Sequence, residues 1–295
     1  MIKKLKEMPT RKLYKLFVYF VLVMFAISII VPITWVFFAS LKTPQEFFMN
    51  PWKMPSSLHF KNFVDAFVGA NMGQYFLNSV IVTALALFIL LIVALPAAYV
   101  LARFEFKFKT LINRLFTIGL FININYIVIP IFLMLLSWNR SIQPIVGMNL
   151  FINNRFALAL VYASTSLPFT IYLLSSYFRT LPRAFEEAAW IDGASHFQTM
   201  FKVMIPMALP SVVTVILFNF LSFWNEYIIA LTLMPSEKLR TLPVGLINLQ
   251  QAARGAANPG PMYAGMVLVM LPTLILYIFV QRRLTEGMTM GGLKE

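Results

Sequence analysis

The sequence predicts an all-α integral membrane protein with six transmembrane helices. Three observations carry that prediction. Of 295 residues, 60% are hydrophobic and only 12% are charged, where a soluble domain has about 45–50% and about 25%. Six windows long enough to cross a bilayer core of about 30 Å hold no charge or a single one. Lysine and arginine are shared unevenly between alternate connections, as they are in membrane proteins. Lipid offers no water to unpaired backbone groups, so helices are the economical way to span it.

The windows are Leu16–Ser40, Leu77–Ala102, Leu115–Ser137, Phe156–Phe178, Pro210–Leu233 and Met262–Val280, and only the fifth contains a charge, Glu226. The basic stretch Met1–Lys15 could open a signal peptide. However, the uncharged run from Leu16 to Leu41 has 26 residues, far beyond a signal core. It reads as a retained helix. The layout is a basic N-terminus at 1–15, a single membrane domain at 16–281 and a tail at 282–295. Each span has a proline in it or at its end: Pro32, Pro96, Pro130, Pro168, Pro210 and Pro272. Ordinary packing in membrane helices accounts for them, and hinges are the sharper alternative.

Between the first two spans, Phe60, Phe63 and Phe67 recur at helical spacing, with Lys61, Asn62 and Asp65 on other faces. That pattern predicts an amphipathic helix at the membrane surface. It suits either a lid on neighbouring helices or a docking surface for an external partner. With six spans, sixteen Lys and Arg fall on the side of the termini and eight on the other. The excess places both termini, and the segment 179–210, in the cytoplasm.

The net charge of +13 would suggest nucleic acid in a soluble protein. Here the charges flank apolar spans, so the partner is membrane lipid. There is no cysteine, and His59 and His196 are the only imidazoles. A zinc site or catalytic cluster therefore has almost nothing to work with. No G-x-x-x-x-G-K-[ST] phosphate loop occurs. The chain is read as a non-enzyme with no cofactor of its own. If it pumps, the fuel is burned in another subunit.

The segment 179–210 is polar in an otherwise apolar chain. Pro182 suits a first helical turn, and Glu186 and Glu187 suit the positive end of the helix dipole. Ala188 and Ala189 favour helix. Gly193 fits a left-handed helix terminus. Ser195 and Gln198 form an S-x-x-Q capping box that opens a second helix. Pro206 and Pro210 close the segment. The prediction is helix, glycine turn, helix, more elaborate than a connecting loop needs.

Glu187-Ala188-Ala189, Asp192-Gly193-Ala194, Ile205-Pro206 and Pro210 together resemble the EAA loop of binding-protein-dependent ABC importers. Further stretches are similar to one branch, the sugar-importer permeases of the MalG type. These are Asn78-Ser79, Ser166-Leu167-Pro168-Phe169, Trp224-Asn225-Glu226 and the tail from Gln281-Arg282-Arg283 through Gly291 to Lys294. Glu295 departs from the tail's usual final glycine, and Gln250 to Pro261 does not align by eye.

The resemblance implies the type I ABC importer transmembrane fold and a permease subunit in the bacterial cytoplasmic (inner) membrane. It implies that Glu187, Ala188, Ala189, Asp192 and Gly193 belong to a coupling helix seated on a cytoplasmic ATPase, with Arg283 and Gly291 as further contacts. It also implies a second permease chain, two ABC ATPase subunits holding ATP and Mg, and an extracytoplasmic binding protein that delivers a sugar or oligosaccharide. A non-sugar solute is the alternative within ABC transport. An ion-coupled carrier would need more intramembrane ionisable residues than Glu226.

In the fifth span, Asn219, Ser222 and Glu226 fall at i, i+3 and i+7, with Asn225 beside them. Two readings stand: a polar wall of the translocation path, or helix-to-helix packing with Glu226 at the interface. Asn123, Asn125, Ser164 and Ser166 are scattered polar singles that suit packing.

Overall fold

A computed structural model describes the backbone of residues 2–254 and 257–292, and the side chains of 12–254 and 257–281. Among the described residues every regular element is helical. Contacts divide the chain into two compact units, Met1–Ala70 with Asn248–Leu268, and Asn71–Ile247 with Val269–Glu295.

In the first unit, α1 (Ile2–Ser40) carries the first predicted span. Across its apolar stretch the side chains are open, and burial begins only at its end with Ala39 and Ser40, as expected of a helix whose solvent is lipid. A compact segment follows. α2 (Pro44–Met49) opens with a Thr43–Glu46 capping box and a proline in its first turn. Glu46 also accepts from the Ser56 amide and hydroxyl. Those bonds from Ser56 and Thr43 lower its pKa to about 2. Lys42 is 2% exposed; its Nζ donates to the Pro51 carbonyl at 2.6 Å.

α3 (Lys61–Val64) runs into a π-helical stretch, Asp65–Gly69. The expected amphipathic helix is therefore present but short. It also turns differently from expectation. Asn62 and Ala66 are buried, while Phe60 and Phe67 are exposed. The reason is hydrogen bonding: the Asn62 amide donates to the Ser40 and Lys42 carbonyls.

The second unit is built on α4 (Met72–Arg103). Val82, Ala86, Leu90, Ala94 and Ala98 recur every four residues along it and are all buried. Its main neighbour is α7 (Arg155–Thr180), which buries Leu158, Ala159, Tyr162, Leu174 and Phe178. Alanine on both helices lets the backbones approach, which is how membrane helices gain packing energy. The second and fourth predicted spans correspond to these two helices.

The third span is corrected, and the fifth breaks at residues 226–227. Leu115–Ser137 is not one helix. α5 (Lys109–Gly119) and α6 (Ile124–Val146) meet at 105°, and Asn123 caps α6 by accepting from the Asn125 amide. After α8 (Ala184–Ile191) comes a run of α9 (His196–Thr199), a π-helical Met200–Met204 and α10 (Ile205–Met207), and a second sharp break, just ahead of the fifth predicted span, separates that run from α11 (Leu209–Asn225). The bend there is 74°, next to Pro210, which has no N–H to continue the ladder.

Among the described residues four helices are long and apolar enough to cross a membrane, or up to six if each bent pair is one span. Neither sharp bend falls at a mid-helix proline; Pro96, Pro130, Pro168 and Pro272 all lie inside their helices.

The chain ends through α12 (Ile228–Leu233), a 3₁₀ turn at Glu237–Leu239, α13 (Leu242–Ala253) and α14 (Gly260–Gly292). Asn78 donates its amide to the Lys238 and Arg240 carbonyls, and Ser79 accepts from the Leu242 amide at 2.8 Å. The Asn78-Ser79 pair thus staples the start of α4 to the segment before α13.

Candidate functional site: a coupling segment and a polar row

The segment expected to be helix, glycine turn, helix has that form. α8 opens at Ala184, two residues after Pro182, with Glu186 and Glu187 in its first turn. It ends in a Schellman motif. The Ala194 amide donates to the Ala189 carbonyl at 2.9 Å, and the Gly193 amide to the Trp190 carbonyl at 3.0 Å. Gly193 sits at φ +81°, the left-handed region that a Cβ makes costly. Ser195 and Gln198 then form both halves of the capping box.

The two adjacent acids face opposite ways. Glu186 and Ala189, one turn apart, are 4% and 8% exposed. Glu187, Ala188, Ile191 and Asp192 are exposed on the other side. A groove of about 560 Å³ runs beside that face, with Ala188 and Ala189 from α8, Asp192 and Gly193 from the turn that ends it, and Gln198 and Lys202 from the helical run that follows. Small side chains make this surface shallow, so a partner can approach its backbone closely. Ala189 lies at its floor.

Glu186 ties α8 to the end of α4. The Tyr99 hydroxyl donates to Glu186 Oε1 at 2.8 Å, and Arg103 Nε lies 3.5 Å from Oε2. Both Arg103 and Glu186 side chains are almost wholly buried. Arg103 also donates from Nη2 to the Leu181 carbonyl at 2.6 Å. Ring contacts continue the link: Tyr99 on Phe104, Phe104 on His196 at 5.6 Å, and His196 on Trp190 at 5.1 Å, all edge to face.

Sequence reasoning missed Tyr99, Arg103 and His196, and gave Glu186 only a dipole role. One signal was available. A helix that exposes Glu187 and Ala188 must bury the face one residue back, and a buried acid needs a cation.

The polar row in the fifth span is not one face of one helix. Asn219, Ser222 and Asn225 lie on α11, which stops at Asn225. Glu226 is already extended, at φ −72° and ψ 131°. Its carboxylate accepts from the Ile229 and Ala230 amides and from the Tyr162 hydroxyl, at 2.7, 3.1 and 2.6 Å. It thereby satisfies amides at the start of α12 that a continuous helix would have paired itself.

Asn219 is 2% exposed and donates to Thr170 Oγ1 at 3.0 Å and to the Val215 carbonyl. The structure therefore gives Asn219 and Glu226 internal partners. Ser222 and Asn225 are exposed, and the Asn225 amide donates to the Leu221 carbonyl of its own helix. Trp224 Nε1 reaches the Val269 carbonyl of α14 at 3.0 Å.

Arg283 and Gly291 fall in the last turns of α14, where side chains lie outside the described residues. Among the described residues no group of three His, Cys, Asp or Glu could hold a metal ion.

Residues 94–289 match the family model of the inner membrane component of binding-protein-dependent transport systems. The chain is 34% identical over 270 residues to the diacetylchitobiose uptake system permease protein NgcG of Streptomyces coelicolor, covering 92% of this chain and 86% of that one. It is 30% identical to the trehalose transport system permease protein SugB of Mycobacterium tuberculosis, covering 90% and 92%. Among solved structures it is similar to a chain of a bacterial ABC transporter involved in the import of the acidic polysaccharide alginate. That match has a TM-score of 0.77 and 23% identity, and covers 92% of this chain and 96% of the other. The likeness shows a shared fold.

Proposed function

Because this chain belongs to the inner membrane components of binding-protein-dependent transport systems, we propose that it is one permease subunit of an ATP-driven importer for a sugar or oligosaccharide. The sugar assignment is supported by the relatives, whose names specify diacetylchitobiose and trehalose. In this reading a second, different permease chain supplies the other half of the path. Two ABC ATPase subunits supply the energy and hold the ATP and Mg. An extracytoplasmic binding protein delivers the solute. Both termini and the 179–210 segment lie in the cytoplasm, in keeping with the sixteen-to-eight division of Lys and Arg.

One observation carries the coupling role: α8 presents Glu187 and Ala188 outward while Glu186 binds it to α4 from behind. A surface displaced by an ATPase can move the spans only if it is fastened to them. Closure of the ATPase pair on ATP would push the exposed face of α8. The buried Glu186 contacts would then carry the displacement into α4, and hydrolysis would reset it. No bond in the solute changes.

Glu187→Lys in the assembled transporter is expected to abolish transport and the stimulation of ATPase activity by loaded binding protein. Membrane insertion and the amount of protein should stay normal, because Glu187 is exposed. Normal stimulated ATPase activity in this variant would overturn the coupling role.

A further inference from the structure

Resting on the carbohydrate reading and the orientation above, we infer that a second polar cavity, between α5 and α7, is a station for a single sugar ring on the cytoplasmic half of the path. Its volume is about 210 Å³, and Asn113, Thr117, Tyr172, Ser175, Ser176 and Arg179 line it.

The chemistry of the lining points to the occupant. Polar groups are costly at membrane depth unless they face water, a solute or one another. Here the amide of Asn113, four hydroxyls and, at the cytoplasmic end, the Arg179 guanidinium line one cavity. The Thr117 hydroxyl donates to the Asn113 carbonyl at 2.8 Å and that of Ser175 to the Tyr172 carbonyl at 3.2 Å. Their protons are spent, and their lone pairs remain as acceptors. Arg179 makes no hydrogen bond or ion pair among the described residues, so its donors are available. Acceptors and donors side by side suit the vicinal hydroxyls of a pyranose. The exposed Tyr172 ring offers an apolar face for the C–H side of the sugar.

Size sets a limit. The cavity is smaller than the about 300–1,000 Å³ of sites for drug-sized ligands, so it holds one ring of a longer chain. At one point along these helices Gly119 meets Pro168, where a Cβ on Gly119 would lie 2.9 Å from the proline ring. Further along, near the end of α7, lies Arg179. The α5–α6 break at residues 120–123 follows directly. A change in that bend would alter the cavity without breaking a helix.

The chain has no cysteine, so a single introduced thiol reports cleanly when labelling is read on this chain alone, separated from its partners. Ser176→Cys and, as a control, Leu115→Cys on the exposed apolar side of α5 are made in the full complex with its partner permease and ATPases. Inside-out membrane vesicles are treated with the impermeant reagent methanethiosulfonate-ethyltrimethylammonium. Ser176→Cys is expected to react at least about tenfold faster than Leu115→Cys, because it faces water. A transported sugar should slow that reaction at least about threefold.

Diacetylchitobiose and trehalose are the probes, and uptake of each by the unmodified complex is measured in parallel. Equal labelling of the two thiols would mean that the cavity opens on lipid or is covered by the partner permease. Labelling that no probe slows would mean that it is a water-filled crevice only. Either result overturns the station, and the uptake measurement shows whether the carbohydrate reading falls with it. As a second variant, Arg179→Gln is expected to cut sugar uptake about tenfold while keeping binding-protein-stimulated ATPase activity. Unchanged uptake would also overturn the inference.

Discussion

Segments 182–207 and 219–233 each place an acid at a helix boundary, and they differ in where that acid finds its partners. In the first, the turn is written within a few residues: Gly193 reverses the chain and Ser195 and Gln198 cap the next helix. In the second, Glu226 ends α11 by binding amides three and four residues ahead and a tyrosine 64 residues behind. The first boundary is decided by local chemistry. The second depends on a contact that exists only once α7 and α11 have packed. Glu186 combines the two cases: it lies in a locally written helix, but its partners Tyr99 and Arg103 come from α4.

The largest effect is expected at that combined case. Glu186→Ala leaves the buried Arg103 without its carboxylate, and breaking one side of a buried pair costs about 3–5 kcal/mol. The variant should unfold at lower temperature in detergent, and any surviving complex should transport poorly. Glu186→Gln keeps an acceptor for the Tyr99 hydroxyl and should lose less. If Glu186→Ala were as stable as the parent, α8 would not be fastened to α4 by this pair, and coupling would need another route.

Next in size is Glu226→Gln. One amide oxygen cannot serve two backbone amides and the Tyr162 hydroxyl as two carboxylate oxygens do, and an unsatisfied buried donor costs about 1–3 kcal/mol. Stability should fall, while discrimination between competing sugars in uptake assays stays as it was. Altered sugar discrimination at unchanged stability would return Glu226 to the translocation path and erase the contrast with segment 182–207.

These two regions also mark what was legible in the sequence. Hydrophobic length alone locates the helices of all six expected spans, because lipid permits few other solutions. Capping and glycine chemistry locate α8 and α9 for the same kind of local reason. The breaks at 120–123 and at Glu226 were not legible. Nothing in an apolar window distinguishes a continuous helix from two that meet at an angle. The capping groups carry other readings in the sequence: Asn123 suits packing between helices, and Glu226 suits a wall of the path or the interface. The Tyr99–Glu186–Arg103 cluster was hidden for a related reason: Arg103 served the topology count, and its buried role needs α4 and α8 together. Ser176 and Arg179 likewise gain meaning only when α5 lies beside α7.

The smallest predicted effect sharpens the comparison most, because it separates folding from coupling at one position. Gly193 holds φ +81°, yet a Cβ built there meets no heavy atom within 4 Å. Within this chain the demand for glycine is therefore conformational, and Gly193→Ala should cost about 1–2 kcal/mol. Asparagine tolerates the left-handed region better than alanine, so Gly193→Asn should recover part of that loss despite being larger. Thermal unfolding of the solubilised complex gives this ranking, with glycine above asparagine above alanine. Stimulated ATPase activity supplies an independent ranking. If it follows stability, Gly193 serves the turn alone. If Gly193→Asn is the more stable variant but the worse coupled one, bulk at this open surface is meeting another chain. The groove beside Ala188 and Gly193 would then be occupied in the working transporter, and glycine would be required twice, once by the backbone and once by the partner.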